Sequence, residues 1–212
     1  MMKIIVHPAY FPPVTYFAAF FSAETVVFDI HAHFDKQTYR NRMYLHAAHG
    51  KQLLSVPVKH TKNMERLAMK KVKISYERNW QRQHWKTLET AYRTSPYFEF
   101  YEDDLYPLFE HKFEYLWELN LATVQKVFDL LNTDFDYELS QDYNPSPEGF
   151  IDLRPLVDAK KKFDFIKQLP PYTQVFSNKN GFIPGLSILD LLFMEGPHAV
   201  NYLKKIAPLI KP

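Results

Sequence analysis

Cysteine is absent from the 212 residues of this chain. Its absence excludes disulfide bonds, Cys-ligated zinc and thiol catalysis. Glycine is scarce, with five residues, which is too few for a glycine-rich phosphate-binding loop. The Walker A, GxGxxG, GxSxG and HExxH motifs are also missing. Nucleotide hydrolysis by the common route is therefore disfavoured, and no cofactor is indicated.

A strong net charge and long apolar runs are lacking as well. The formal net charge is +2, so the whole molecule would attract nucleic acid only weakly, and no nucleic-acid partner is predicted. The first apolar run, in "KIIV" (residues 3–6), is too short for the hydrophobic region of a signal peptide. No segment approaches the roughly 18–20 apolar residues of a membrane span. The sequence predicts a soluble, cytoplasmic protein.

Apolar residues are nevertheless plentiful. Hydrophobic residues make up 46% of the chain and aromatic residues 17%, which allows a substantial, aromatic-rich core. "KIIV" and "TVVFDI" (25–30) have the β-branched pattern of buried strands, and "VTYFAAFFSA" (14–23) between them has that of a short buried helix. This strand–loop–helix–strand order is typical of a Rossmann-like parallel α/β unit, in which ligands bind at the carboxyl edge of the sheet.

The rest of the chain predicts a hairpin followed by helices. Residues 39–46 and 51–58 form the predicted hairpin, and residues 172–176 a further short strand. Helical periodicity covers residues 76–95, 105–132, 186–196 and 197–206. We therefore predict an α/β fold in a single domain over 1–212. Its N-terminal α/β part (about 1–75) packs against a mostly helical part (about 76–212).

Long polar side chains crowd the stretch "HFDKQTYRNRMYL" (33–45). Lys36, Arg40, Asn41 and Arg42 form the best candidate anion site, because a guanidinium fork matches phosphate or carboxylate and lysine adds a point charge. Arg40 and Arg42 would share one face of a strand by its two-residue period. The alternative is a solvated hairpin edge, where basic residues deter edge-to-edge pairing.

Several histidines and carboxylates have both a chemical and a structural interpretation. His7 follows the first strand and is either an acid–base group or a cap on the loop. His84 lies on an apolar helix face, where a satisfied core histidine is the alternative to a catalyst. Alternation of Asp29, His31, His33 and Asp35 would allow a metal site, but the spacing matches no common one, and no metal is predicted. The remaining expectations are an ion pair between Asp152 and Arg154, and a buried Asp190 with a partner such as arginine.

The chain resembles the WbqC-like protein family through segments that follow one another along most of its length. These segments are "HPAYFPPVTYFAAF" (7–20), "KQTYRNR" (36–42), "LSVPV" (54–58), "NWQRQHWKTLETAYRTSPYFEFYEDDL" (79–105), "YTQVF" (172–176) and "GFIPGLSILDLLFMEGP" (181–197). The residues that fall on the family pattern are Lys36, Tyr39, Asn41, Arg42, His84, Trp85 and Tyr97. Many family members have Gln-Pro where this chain has His7-Pro8, and acidic residues near the positions of His31 and His33.

The resemblance implies a bacterial enzyme of surface-polysaccharide (O-antigen) synthesis that acts on nucleotide-linked or lipid-linked sugars. A group transferase that adds an acyl or aminoacyl group to an amino sugar fits best. Lys36, Arg40, Asn41 and Arg42 would then bind a (pyro)phosphate, Tyr10 or Tyr39 would stack on a base or sugar, Tyr97 would line the site, and His84 or His7 would transfer a proton. The alternative is a non-catalytic nucleotide- or carbohydrate-binding module. A buried proton-transfer residue within reach of the anion site distinguishes the two.

Overall fold

The computed structural model describes residues 2–62 and 64–210. Within them the strands are β1 (Lys3–Val6), β2 (Thr25–Phe28), β3 (Arg42–Ala47), β4 (Gly50–Ser55), β5 (Glu138–Leu139) and β6 (Ile151–Asp152). The helices are α1 (Val14–Phe21), α2 (Trp80–Tyr92), α3 (Phe98–Leu105), α4 (Pro107–Glu110), α5 (Leu116–Leu130), α6 (Ser177–Asn180), α7 (Ile188–Glu195) and α8 (Ala199–Ile206).

A parallel sheet with the strand order β5-β2-β1-β6 lies at the centre of the fold. Its middle pair is in register from Lys3 opposite Thr25 to Val6 opposite Phe28. The pair is buried because both strands are runs of β-branched and aromatic residues, the composition of parallel strands covered on both faces. Strands β3 and β4 form a separate antiparallel hairpin. The predicted α/β class, with its strand–helix–strand opening and hairpin, is therefore confirmed.

One cluster of aromatic residues fills the core beside α1. Phe20 lies within 6.2 Å, ring centroid to ring centroid, of several other phenylalanines, and Phe128 stacks on Phe135 at 4.0 Å. Such ring pairs add about 0.5–1.5 kcal/mol each beyond their area burial. In the part of the chain that the structure describes, no helix is both long enough and apolar enough to cross a membrane.

Three local predictions need correction. The helical pattern over 105–132 is interrupted between α4 and α5, because residues there bond to a neighbouring segment: Leu116 N–H donates to the Val72 carbonyl, and Ile74 N–H to that of Glu114. Residues 172–176 do not form a strand. The Gln174 amide instead bonds to both backbone groups of Ile183, at 2.8 and 2.9 Å.

The third correction concerns Asp190, which has no arginine partner among the described residues. Its carboxylate accepts hydrogen bonds from the hydroxyls of Tyr92, at 2.8 Å, and Tyr172, at 2.6 Å. The side chain is fully buried, and burial raises the pKa of Asp190 to about 6. A buried carboxylate must be hydrogen-bonded, but two neutral donors satisfy that requirement without an ion pair.

Candidate functional site

A cleft of about 750 Å³ opens at the carboxyl edge of the parallel sheet. His7 directly follows β1, Asp152 ends β6, and Arg154 opens the 3₁₀ turn Arg154–Val157. We call this the sheet-edge cleft. Its ionisable and aromatic lining consists of His7, His33, Asp35, Lys36, Arg40, Tyr143, Asp152, Arg154, Asp158 and Lys160. The position is the one where parallel α/β sheets bind ligands, because strands there deliver their loops to a common edge.

The floor of the sheet-edge cleft is an ion-pair network centred on Arg154. The Arg154 guanidinium is 2.9 Å from Asp29 and 2.7 Å from Asp152, and it also donates to the carbonyls of Asn144 and Pro145. The predicted pairing of Asp152 with Arg154 is therefore present. The hydrogen bonds that Arg154 donates to Asp152, and then those to Asp29, raise the pKa of Arg154, so the guanidinium stays charged. With its donors occupied, Arg154 shapes the site and has little capacity left for a ligand.

Arg40 differs from Arg154, because no carboxylate lies close to its guanidinium among the described residues. The side chain is 2% exposed, its Nη1 donates to the His33 carbonyl, and its Nε has no hydrogen-bond partner. The nearest carboxylate is that of Asp35, 4.0 Å from Nη2 and itself 74% exposed. Burial lowers the pKa of Arg40 more than the nearby acids raise it. A buried guanidinium without a close counter-charge on a cleft wall is a ready binding group for an anion.

His7 provides the proton-accepting group of the cleft. It is 6% exposed, and its Nδ1 lies 3.3 Å from the Asp29 carbonyl oxygen. A carbonyl only accepts, so Nδ1 carries the proton and Nε2 holds the free lone pair. Burial, followed by the charges of Arg40 and Arg154, lowers the pKa of His7 well below its ordinary value. His7 is therefore neutral at pH 7, and Nε2 has no protein partner among the described residues.

The predicted basic cluster separates into two parts. Lys36 lines the sheet-edge cleft with Arg40, next to Gln37, whose φ of +66° is rare for a non-glycine residue. Asn41 donates from its amide to the Val56 carbonyl at 3.0 Å and so holds the hairpin. Arg42 starts β3 opposite Ser55 and is not among the lining residues. The binding roles of Asn41 and Arg42 stay predictions.

The other predicted site residues lie away from this cleft. His84 and Tyr10 are both buried, with the Tyr10 hydroxyl 3.1 Å from His84 Nδ1. Burial lowers the pKa of His84 to about 4. Tyr97 precedes α3, and its ring packs against Gly196, where an added Cβ would lie 2.6 Å from the ring. None of the three is among the residues that line the sheet-edge cleft, and their functional roles stay predictions.

Tyr39 lines a second cavity of about 360 Å³, which we call the side cavity. The backbone N–H of Tyr39 donates to the Val157 carbonyl at 2.9 Å, and Asp158 lines both cavities, so the two spaces adjoin. The side cavity has apolar walls, formed by Pro13, Leu156, Phe163, Phe165 and Ile166, and a lysine-rich rim, formed by Lys51, Lys161, Lys162 and Lys167. Such a cavity suits a ligand with both an apolar and an anionic part.

Metal binding is not favoured by the arrangement of the acidic and imidazole groups. Asp29 is bound to Arg154, while His31 Nδ1 lies 3.1 Å from the Ser140 hydroxyl and its Nε2 lies 2.7 Å from Lys70 Nζ. Among the described residues, no group of three or more His, Asp or Glu side chains is placed to hold a metal ion. His33 lines the sheet-edge cleft separately.

Tyr143 and Lys160 line the cleft although the sequence did not mark them as site residues. Both belong to irregular segments far along the chain from β1. A loop residue of ordinary type carries no periodicity or motif, so only the path of the chain shows that it reaches the sheet edge.

Comparison with known proteins supports the resemblance of this chain to the WbqC-like protein family. The model of the WbqC-like protein family matches residues 7–163 and 144–202. A protein of Mycobacterium tuberculosis, "Uncharacterized protein Rv1507c", is 27% identical, and the match covers 96% of this chain and 98% of the relative. No solved structure matches.

Proposed function

This chain belongs to the WbqC-like protein family, and we propose that it is a group transferase that acts on a nucleotide-linked or lipid-linked sugar in bacterial surface-polysaccharide synthesis. One observation carries the proposal: a buried, poorly paired Arg40 and a neutral His7 line the same cleft. An anion-binding group and a proton acceptor are thus available at one place. The family resemblance supplies the polysaccharide context.

In this proposal the basic residues of the sheet-edge cleft hold the phosphate of the sugar substrate. Arg40 offers Nη2, while Lys36 and Lys160 add point charges from the rim. Each charge-assisted hydrogen bond contributes about 1.5–3 kcal/mol to binding. The phosphate would also neutralise the buried guanidinium, so part of the desolvation cost of Arg40 is recovered when the ligand binds.

His7 would act as the general base. An amino group of the acceptor sugar attacks the carbonyl carbon of an acyl thioester, and a C–N bond forms as the C–S bond breaks. The thiolate leaves with the electron pair of the C–S bond. The proton of the amino group passes to Nε2 of His7 and then to the thiolate, which restores the neutral imidazole. A base of this kind typically contributes 10²–10⁴-fold to the rate.

The side cavity supports an acyl donor. Its apolar walls match an acyl or pantetheine arm, and its lysines match the phosphates of a coenzyme A thioester. Lys51 is partly desolvated, and burial lowers its pKa. Because Asp158 lines both cavities, donor and acceptor would meet near the turn that carries it.

A non-catalytic nucleotide- or carbohydrate-binding module remains the second candidate. It is favoured by the glutamine that many family members have at the position of His7, since an amide cannot transfer a proton. The buried imidazole beside Arg40 favours the transferase instead. His7→Gln therefore separates the two functions within this one chain.

The experiment has two stages. A thermal-shift screen against nucleotide sugars, nucleotides and acyl-coenzyme A identifies ligands, since a ligand at 100 times its Kd stabilises the native state by about 2.7 kcal/mol. Mass spectrometry then detects an acylated sugar formed from the hits. We expect the wild type to form product and His7→Gln to bind the sugar nucleotide without forming it. Ligand binding with no product from any donor, unchanged by His7→Gln, would assign the binding module instead.

A further inference from the structure

Tyr143 stands at the mouth of the sheet-edge cleft with its ring in solvent. It is 55% exposed, among the most exposed large apolar side chains of the described residues. The backbone beside it is nevertheless held, because Arg154 donates to the carbonyl of Asn144 at 2.7 Å and to that of Pro145 at 3.2 Å. The Arg154 guanidinium also lies 5.8 Å from the centre of the Tyr143 ring. The backbone that carries this exposed ring is thus anchored to a buried ion-pair network.

The ring of His33 faces Tyr143 from the other wall. The two planes are nearly parallel, at 10°, and the ring centroids are 6.4 Å apart. The His33 carbonyl accepts the hydrogen bond from Arg40 Nη1, so the histidine is tied to the anion-binding guanidinium. Both rings line the same cleft as Arg40 and Lys36. We call Tyr143 and His33 the ring pair.

We propose that the ring pair is a stacking platform for a nucleobase, so that the sugar substrate is carried on a nucleoside diphosphate and not on a lipid. This proposal rests on the proposed function, because it uses the same anion site. Every nucleobase has a flat π face that can stack on an aromatic side chain, whichever polar groups it carries at its edges. The platform lies beside the guanidinium that would bind the adjoining phosphates.

The lining of the cleft disfavours a polyprenyl chain. Its apolar wall is limited to Ala32, Pro145, Pro155 and Val157, scattered among charged side chains. A lipid chain needs continuous apolar surface, since each buried CH₂ contributes only about 0.8 kcal/mol. Polar edges of a base and a ribose are compatible with the same lining.

The carboxylates of the cleft fit a nucleotide as well. Asp152 is bound by Arg154, whereas Asp35 is exposed and the Asp158 carboxylate accepts a hydrogen bond from the Lys160 backbone N–H. These two carboxylates can accept hydrogen bonds from ribose hydroxyls. They also repel surplus negative charge, which favours a ligand whose phosphates are few and localised near Arg40.

Isothermal titration calorimetry with three probes tests the platform: inorganic pyrophosphate, uridine diphosphate and geranyl diphosphate. In the wild type we expect uridine diphosphate to bind about 5- to 150-fold more tightly than pyrophosphate, the gain that base–aromatic stacking supplies. Tyr143→Ala should remove most of this gain and leave pyrophosphate affinity within about twofold, while Tyr143→Phe keeps it. His33→Ala should remove part of the gain in affinity of uridine diphosphate over pyrophosphate. Phe100→Ala is the control, because Phe100 is 74% exposed and is not a lining residue of the cleft.

Equal affinities for pyrophosphate and uridine diphosphate would overturn the platform, as would tighter binding of geranyl diphosphate. A Tyr143→Ala variant that weakens both pyrophosphate and the nucleotide equally would also overturn it. Failure of the proposed anion site gives a different result. Pyrophosphate would then either not bind the wild type or bind it and the Arg40→Met variant equally well. Nucleotide binding that depends on Tyr143 but not on Arg40 would support the platform and refute the anion site.

Discussion

Replacing Arg40 by methionine should leave the fold intact while it weakens anion binding. Methionine keeps a flexible, unbranched stem of similar length but removes the charge. The variant loses the hydrogen bond to the His33 carbonyl, which costs about 1.5–3 kcal/mol for a charged donor. It also no longer buries a guanidinium whose Nε is unpaired and whose nearest carboxylate is 4.0 Å away. That desolvation costs several kcal/mol per ion.

The two contributions nearly cancel, so we expect the free energy of unfolding to change by less than about 2 kcal/mol in either direction. For a chain of this size that corresponds to a shift in Tm of roughly 2–8 °C at most. Pyrophosphate affinity should fall by at least about tenfold, the equivalent of 1.4 kcal/mol. Urea denaturation and calorimetry on the same preparation measure both quantities.

Arg154→Met is the matched control, because that arginine is also buried but pairs with two carboxylates. Removing one partner of a buried pair typically costs 3–5 kcal/mol, so this variant should be clearly destabilised. If Arg40→Met is destabilised as much as Arg154→Met and still binds pyrophosphate like the wild type, Arg40 is a structural cation. The assignment of the anion site would then be wrong.

Three further predictions address other parts of the molecule. Burial raises the pKa of Asp190 to about 6, above its unfolded value near 3.9, so the protein loses stability as the pH rises from 4 to 6 and this group ionises. Asp190→Asn should remove roughly 2–3 kcal/mol of this pH dependence, measured as the difference in the free energy of urea unfolding between pH 4 and pH 7. His7→Gln should lower the rate of group transfer by 10²–10⁴-fold and change nucleotide affinity less than threefold; an equal loss in both would make His7 a binding residue. Gly196→Ala should destabilise the protein by about 1–3 kcal/mol, since φ is +53° and the new Cβ would lie 2.6 Å from the Tyr97 ring; unchanged thermal unfolding would contradict this.

The sequence by itself determined the parallel unit and the place of its carboxyl edge. Two β-branched runs separated by a short apolar helix leave few alternatives, because burial on both faces and chain direction follow from local pattern. His7 could be assigned to that edge because it directly follows the first strand. The pairing of Asp152 with Arg154 followed from their spacing of two residues. The family resemblance pointed to the same segments.

Tertiary structure alone decided which basic residue is buried and poorly paired. Arg40 and Arg42 have the same chemistry and positions on the same face of a predicted strand, yet one lines the cleft and the other begins β3. It also placed His84 with Tyr10 in the interior and carried Tyr143 to the cleft. Strands as short as β5 and β6 have too few residues for a periodic pattern, so the sequence did not predict them. The placement of the side chains follows from the packing of segments that are distant in sequence, because that packing decides which groups are desolvated and which charges are paired.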